Sequence, residues 1–206
     1  MGKINVRQMI VGPIGTNCYL VNRTGSQLAI IIDPGAAAHR IQAELTKQGW
    51  KATAILLTHG HFDHIGAIPD LEEKETLPYY LHEEDQELIQ SPEANVSLMF
   101  GHPYSVKPDR LIKDGDKLEI DGIEFQVIHT PGHTQGSCCF YIQEAGLLFS
   151  GDTLFCASHG RTDFPTGSES AIIHSIKDKL FLLPDETRVL PGHNSETTIK
   201  AEKKWF

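Results

Sequence analysis

Directly after the apolar run Ala52 to Thr58, the chain reads His59-Gly60-His61-Phe62-Asp63-His64, four potential metal ligands within six residues. A continuous apolar run of that length predicts a strand covered on both faces, and it breaks off abruptly in a histidine-rich turn. Side chains alternate along an extended segment, so His59, His61 and Asp63, each two apart, would point the same way. His64 breaks that parity. A turn curling around one point brings all four together, so that one ion takes His59 and His61 and a neighbouring ion takes Asp63 and His64. Imidazole nitrogen and carboxylate oxygen suit zinc or another borderline first-row metal.

Three later phrases share this style. His133 lies in Thr130-Pro131-Gly132-His133-Thr134, Asp152 in Ser150-Gly151-Asp152-Thr153, and His193 in Leu190-Pro191-Gly192-His193-Asn194. Each follows an apolar strand and a glycine that permits a tight turn. His39, His82, His102, His129 and His174 read as ordinary solvated residues, although His102 falls in a long loop.

The order of elements is that of an α/β chain. Ile4 to Val11, Asn17 to Asn22 and Leu28 to Asp33 read as strands separated by glycine turns. Asp33-Pro34-Gly35 ends this run, and Ala36 to Gln48 has helical spacing stopped by Gly49. Gly66 to Glu75 and Glu83 to Gln90 read as helices around a short strand, Tyr79 to Leu81. The segment from Ser91 to Pro108 carries Pro92, Gly101, Pro103 and Pro108 with little periodicity; a loop of about 18 residues is long enough to suggest a functional flap. Leu118 to Ile120, Phe125 to His129, Cys138 to Ile142 and Leu147 to Ser150 are predicted strands, Ser168 to Leu182 a helix, and Val189 to Leu190 a last strand before a charged tail. Strands followed by a helix, twice over, fit two sheets packed face to face with helices outside, a four-layer αββα sandwich, in a single domain spanning 1–206, although the strand pattern alone fits other α/β folds as well.

Composition narrows the partners. The formal net charge of −9 disfavours nucleic acid. The first ten residues lack the apolar stretch of a secretory signal, and no run approaches the roughly 18 apolar residues needed to span a bilayer, so a cytoplasmic protein with no membrane partner is expected. Cys18, Cys138, Cys139 and Cys156 form no CxxC pair and read as small, reduced, buried hydrophobes.

The phrase HGHFDH, followed by PGHT, GDTLF, GRTDFP and PGHN, resembles the metallo-β-lactamase-fold superfamily, and within it the small glyoxalase II-like hydrolases. The resemblance runs from Val11-Gly12-Pro13 to Leu190-Pro191-Gly192-His193. It implies a first metal site at His59, His61 and His133, a second at Asp63, His64 and His193, and Asp152 as a bridge, with two divalent ions per chain: zinc first, iron or manganese also suited. It implies that Asp33 orients ligands from behind, and that Arg161 stands where glutathione thioester hydrolases place a lysine for substrate contact. Arg161 pairing with Asp163 is an equal reading. Full-length glyoxalase II enzymes carry a C-terminal helical region that helps bind glutathione; the chain ends soon after His193, so a different small thiol is open as the carrier. Gln135 stands where proline is frequent in such hydrolases, and His159 where a small or apolar residue is expected.

The implied chemistry is hydrolysis. Two ions about 3.5–4 Å apart lower the pKa of a shared water from about 15.7 to about 7 and clamp both partners of the displacement, while Asp63 or Asp152 accepts the proton. A thiol, with a pKa near 8.5, leaves without a proton donor. That suffices for a thioester, and the resemblance implies a 2-hydroxyacyl thioester such as S-lactoylglutathione as the substrate; a monomer or homodimer is expected. The alternatives are an iron-dependent persulfide dioxygenase, which needs only two histidines and one carboxylate, and hydrolysis of a lactone or other ester. Zinc β-lactamases of the commonest type carry a cysteine near the position of Asp152.

Overall fold

The computed structural model describes residues 3–72 and 76–206. Twelve strands form two six-stranded sheets among these residues. The first sheet runs β1 (Ile4–Val11), β2 (Thr16–Arg23), β3 (Leu28–Ile32), β4 (Lys51–Leu56), β5 (Tyr79–His82) and β6 (Arg110–Ile112) in spatial order. It is antiparallel from β1 to β3 and parallel from β3 to β6. The second sheet holds β7 (Lys117–Ile120), β8 (Ile123–His129), β9 (Cys138–Ile142), β10 (Leu147–Gly151), β11 (Arg188–Pro191) and β12 (Thr197–Thr198), with β7 at one edge and β12 at the other. Within it only β10 and β11 are parallel.

Alternation along the strands sorts the apolar side chains into three cores. Tyr19, Val21, Ile30, Ile32 and Leu56 of the first sheet meet Phe125, Val127, Phe140, Phe149 and Leu190 of the second in the middle core. The opposite faces of the same strands, through Leu20, Ile31 and Ile55, pack on helix α1 (Ala38–Gln48) and the short helices α2 (Phe62–Ile65) and α3 (Ile68–Glu72). On the far side, Cys139, Tyr141, Leu148 and Val189 pack under α5 (Glu169–His174), the turns that follow it and α6 (Ile199–Glu202). α4 (Gln86–Gln90) follows β5. Three apolar layers between four structural layers give the predicted αββα sandwich. Both faces of the central strands are buried, so their sequences read as continuous apolar runs. Each fully buried aromatic or branched side chain contributes about 1.5–3 kcal/mol.

Differences from the expected elements follow from length and charge. The helix expected over 66–75 is a single short helix, α3, Ile68–Glu72, preceded by the separate turn α2, and its last residues, 73–75, lie outside the described part of the chain. The helix expected over 168–182 begins at its Ser168 cap, whose hydroxyl accepts from Ala171 N–H at 3.3 Å, but passes into a π turn, Ser175–Lys179, and a 3-10 turn, Leu180–Leu182. β6, β12 and α6 had no periodic signal, being three, two and four residues long. The last lies within the charged tail, anchored by the fully buried Ile199. No described helix is long and apolar enough to cross a membrane. Cys18, Cys138 and Cys139 are buried as expected, whereas Cys156 is exposed.

His82 corrects the expectation of a solvated residue: it is 2% exposed and stacks on His129 with ring centroids 4.0 Å apart. It sits at the end of β5, where the sheet covers one face and His129 the other. Burial, then the neighbouring His129, pushes the imidazole down to about 4. An unfolded histidine titrates near 6.5, so between these values the unfolded chain binds a proton that the folded chain refuses. Stability from this group is intact above about pH 6.5 and is lost as pH falls to about 4. Urea titrations with chelator present should show the wild type losing on the order of 2 kcal/mol more than His82→Gln between pH 7 and pH 4.5. Parallel pH profiles for the two proteins would contradict this.

Candidate metal centre

All seven expected ligands come from loops that leave strand ends along one edge of the sandwich. His59 and His61 follow β4 in extended backbone; His61 caps α2, and the switch to helical geometry at Phe62 turns both Asp63 and His64 inward. His133 follows β8, Asp152 follows β10 and His193 follows β11. The first sheet thus supplies four of these side chains and the second supplies three. The loops are joined across the seam: Cys138 N–H donates to the Thr58 carbonyl at 2.8 Å, and Asn17 N–H to that of Gly192 at 2.7 Å.

The side chains converge as two triples. His59, His61 and His133 bring one ligand atom each within 4.8 Å of one another, and so do Asp63, His64 and His193. In the second triple Asp63 Oδ2 lies 3.1 Å from His193 Nε2 and 3.3 Å from His64 Nε2. In the first, His61 Nδ1 lies 2.8 Å from His133 Nε2. Asp152 reaches both, with Oδ2 at 3.5 Å from His133 Nε2 and 3.6 Å from His193 Nε2, and Oδ1 at 3.4 Å from His64 Nε2. Ligand atoms about 2.0–2.1 Å from a tetrahedral ion are about 3.4 Å apart, close to most of these separations. His59 Nε2, His61 Nε2, His64 Nε2 and Asp152 Oδ1 are buried and find no hydrogen-bond partner among the described residues. Buried polar atoms are otherwise paired, so these orphans are what a cation would satisfy. The residues therefore fit two divalent ions.

Protonation favours the same reading. Burial, and then the neighbouring imidazoles, hold His59 and His61 neutral, His61 at about 3. Burial alone would raise Asp63 and Asp152, but the adjacent His64 charge and the histidine hydrogen bonds hold both carboxyls below their usual range. His64 goes the other way: burial opposes its charge, yet Asp63, Asp152 and Asp33 together raise it well above 6.5. Three carboxylates, Asp33, Asp63 and Asp152, thus surround this one imidazole. Metal binding requires bare nitrogen and ionised oxygen and displaces any proton there.

Groups behind the ligands fix their orientation. Asp33, 1% exposed, accepts from Thr58 N–H at 2.8 Å and Thr58 Oγ1 at 2.7 Å, and its Oδ2 lies 3.0 Å from His64 Nδ1. This is more than a turn aspartate. His133 Nδ1 lies 2.7 Å from the Arg161 carbonyl, an arrangement in which Nδ1–H donates and Nε2 is left bare. Thr16 Oγ1 donates to Asp63 Oδ2 at 2.9 Å. Gly35 and Gly192 stand where no side chain fits: a Cβ on Gly35 would lie 1.5 Å from the Asp63 carbonyl oxygen, and one on Gly192 would lie 2.3 Å from Asp152 Oδ1.

Asp85 carried no sequence signal, sitting third in an acidic run, Glu83-Glu84-Asp85, that resembles an ordinary helix start. The structure buries it completely. Its Oδ2 accepts from Gly60 N–H at 2.9 Å and Thr134 Oγ1 at 2.9 Å, and its Oδ1 from Gly136 N–H at 2.8 Å. Gly60 separates His59 from His61, and Thr134 follows His133, so one carboxylate ties together the two segments that carry the first triple. Asp85→Asn leaves one donor facing an amide N–H. It should cost about 2 kcal/mol in chelator-treated protein and weaken metal binding 10–100-fold at that triple, read by competitive metal titration. Unaltered affinity would deny Asp85 this role.

The cluster opens into a cavity of about 360 Å³ lined by Ile14, Phe62, Val96, Phe100, Phe155 and Phe164, with Arg161 at its edge. The guanidinium of Arg161 donates through Nε and Nη2 to the two carboxylate oxygens of Asp163, each at 2.7 Å, and lies 3.7 Å over the Phe164 ring. The 91–108 loop is a packed wall of this cavity. Phe62 N–H donates to the Asn95 carbonyl at 2.9 Å, Tyr104 Oη donates to the Phe62 carbonyl, and Asn95 Nδ2 donates to the Tyr104 carbonyl at 2.8 Å. Val96 is held at φ 69°, a strained conformation for a β-branched residue that only such bracing sustains. His159 turns to Glu169, 3.3 Å away, and Gln135 donates its backbone N–H to Thr166 Oγ1 at 3.1 Å, a bond a proline could not make.

Imidazole nitrogen and carboxylate donors, converging in two triples beside an open cavity, are the working parts of a metal-dependent hydrolase, the class that this fold and site define. The chain belongs to the metallo-beta-lactamase superfamily, whose family model matches residues 11–193. It is 39% identical over 199 residues to the probable metallo-hydrolase YqgX of Bacillus subtilis, covering 96% of this chain and 93% of that one. It is 37% identical over 206 residues to the hydroxyacylglutathione hydrolase GloC of Haemophilus influenzae, covering 98% and 96%. Among solved structures it superposes on the BLEG-1 B3 metallo-beta-lactamase with a TM-score of 0.92 at 37% identity, covering 97% of each chain. On TTHA1623 in a di-iron-bound form the TM-score is 0.86 at 39% identity, covering 97% and 98%.

Proposed function

We propose that this chain is a binuclear thioester hydrolase acting on 2-hydroxyacyl thioesters of a small thiol, with S-lactoylglutathione as the type substrate. The observation that carries the reading is the pair of triples joined through Asp152 at the foot of an open cavity. Two divalent ions held there would supply Lewis acidity toward the carbonyl and hydroxide at neutral pH. The apolar wall lines the approach of the acyl thioester to the two triples. The water oxygen adds to the carbonyl carbon, its proton passes to Asp63 or Asp152, and the C–S bond breaks with both electrons leaving on sulfur. The products are a 2-hydroxy carboxylate and a thiol. A thiolate of pKa near 8.5 departs unaided, so this ligand set is sufficient for a thioester. The likeness to a hydroxyacylglutathione hydrolase points the same way. On this reading the chain acts on a small molecule in the cytoplasm, as a monomer or homodimer and without a nucleic-acid or membrane partner, and zinc, iron and manganese all suit the donors.

The test is metal analysis beside a panel of S-lactoylglutathione, a lactone, a β-lactam and a phosphodiester. Turnover of S-lactoylglutathione with two metals per chain, lost on chelation and restored by added metal, is the expected result. Activity confined to the lactam or phosphodiester would overturn the substrate class. Oxygen uptake on glutathione persulfide without hydrolysis would assign the site to the one-iron dioxygenase reading.

A further inference from the structure

The cavity wall bears on which thiol the substrate carries. Its aromatic rings begin at the ligands themselves: Phe164 meets His61 edge to face at 5.7 Å, and Phe155 meets His193 at 6.0 Å. Phe62 and Phe100 continue the wall as a stacked pair with centroids 4.2 Å apart. At the mouth Phe100 is 46% exposed and Ile14 is 43% exposed, apolar surface that a bound molecule would cover. Arg161 is the one lysine or arginine on this wall among the described residues, and Asp163 already occupies its fork. Glutathione carries two carboxylates and an ammonium group. Laid along this wall, its carboxylates would lose water without gaining an unengaged cation, which is costly, in a chain whose net charge is −9.

We infer that the arm leaving the substrate carbonyl is uncharged and apolar, an aryl or short alkyl thiol, and that the charged peptide thiol is the poorer carrier. The inference rests on the thioester reading above. Two lactoyl thioesters that differ only in the thiol, S-lactoylglutathione and the thioester of benzyl mercaptan, separate the two. Metal-loaded protein should favour the benzyl thioester at least tenfold in kcat/KM, chiefly through KM. Phe100→Ala and, independently, Phe155→Ala should narrow that ratio below threefold. Asp163→Ala, which frees the guanidinium at an exposed position, should lower KM for S-lactoylglutathione several-fold and leave the benzyl thioester unaffected. Equal or better turnover of the glutathione thioester, or a ratio indifferent to all three substitutions, overturns the inference while leaving the hydrolase reading standing. Turnover of neither thioester overturns both.

Discussion

Asp152→Ala should abolish turnover, lowering kcat at least about 10³-fold, and reduce the bound metal from two ions per chain to one or fewer. The expectation comes from the position of the carboxylate, whose oxygens lie 3.4–3.6 Å from His64, His133 and His193. It reaches members of both triples and is one of three charges that make the centre negative. Without it, five imidazoles, four of them buried, would face two cations with one aspartate left, and charge repulsion between the ions would go uncompensated. Ions that bind only the folded chain stabilise it, so the rise in Tm on adding zinc should shrink in the same variant. Inductively coupled plasma analysis, the Tm shift and single-turnover rates on one preparation check the three effects together. A variant with unchanged metal content and rate would rule out the bridging role.

Gly35→Ala should be the most damaging single-methyl change in the molecule. The added Cβ would lie 1.5 Å from the Asp63 carbonyl oxygen and 2.6 Å from its carbon, both backbone atoms that cannot swing aside. Either the Asp33-Pro34-Gly35 turn or the helix start at Phe62 must shift. The first carries Asp33, which holds Thr58 and His64, and the second carries Asp63 and His64. Overpacking of this severity costs about 3 kcal/mol or more, which for a chain of this size is a fall in Tm of about 6–12 °C. Thermal denaturation in chelator isolates that cost, and metal titration then reads the loss at Asp63, His64 and His193. A chelated variant melting within about 2 °C of the wild type would show that the turn relaxes freely.

The parts of this centre legible in the sequence were those whose signal is local. His59, His61, Asp63 and His64 announce themselves by density, and His133, Asp152 and His193 by the glycine before each at a strand end. The two-faced burial of β3, β4 and β9 gave apolar runs that fit any sheet covered on both faces, and the histidine and glycine motifs at the strand ends pointed to this sandwich. Asp85 was invisible because its meaning lies in partners 25, 49 and 51 residues away, and nothing in Glu83-Glu84-Asp85 distinguishes the acid that turns inward. His82 was misread for the same reason: a lone histidine is buried or solvated according to what packs on it, here His129 from the other sheet. β6 and β12 are short edge strands whose pairing is decided by neighbours rather than by their own composition.

The Asn17 side chain donates to the carbonyls of Pro191 and Asn194 at 2.9 Å each, and Tyr19 Oη donates to that of Pro191 at 2.7 Å. The second strand of the chain thereby grips the loop that carries His193. During synthesis, His59, His61, Asp63 and His64 emerge early and wait through more than half the sequence for His193 and the clasp that holds it. On the proposed reading, a nascent chain holds an incomplete ligand set until His193 has been made and both sheets have docked.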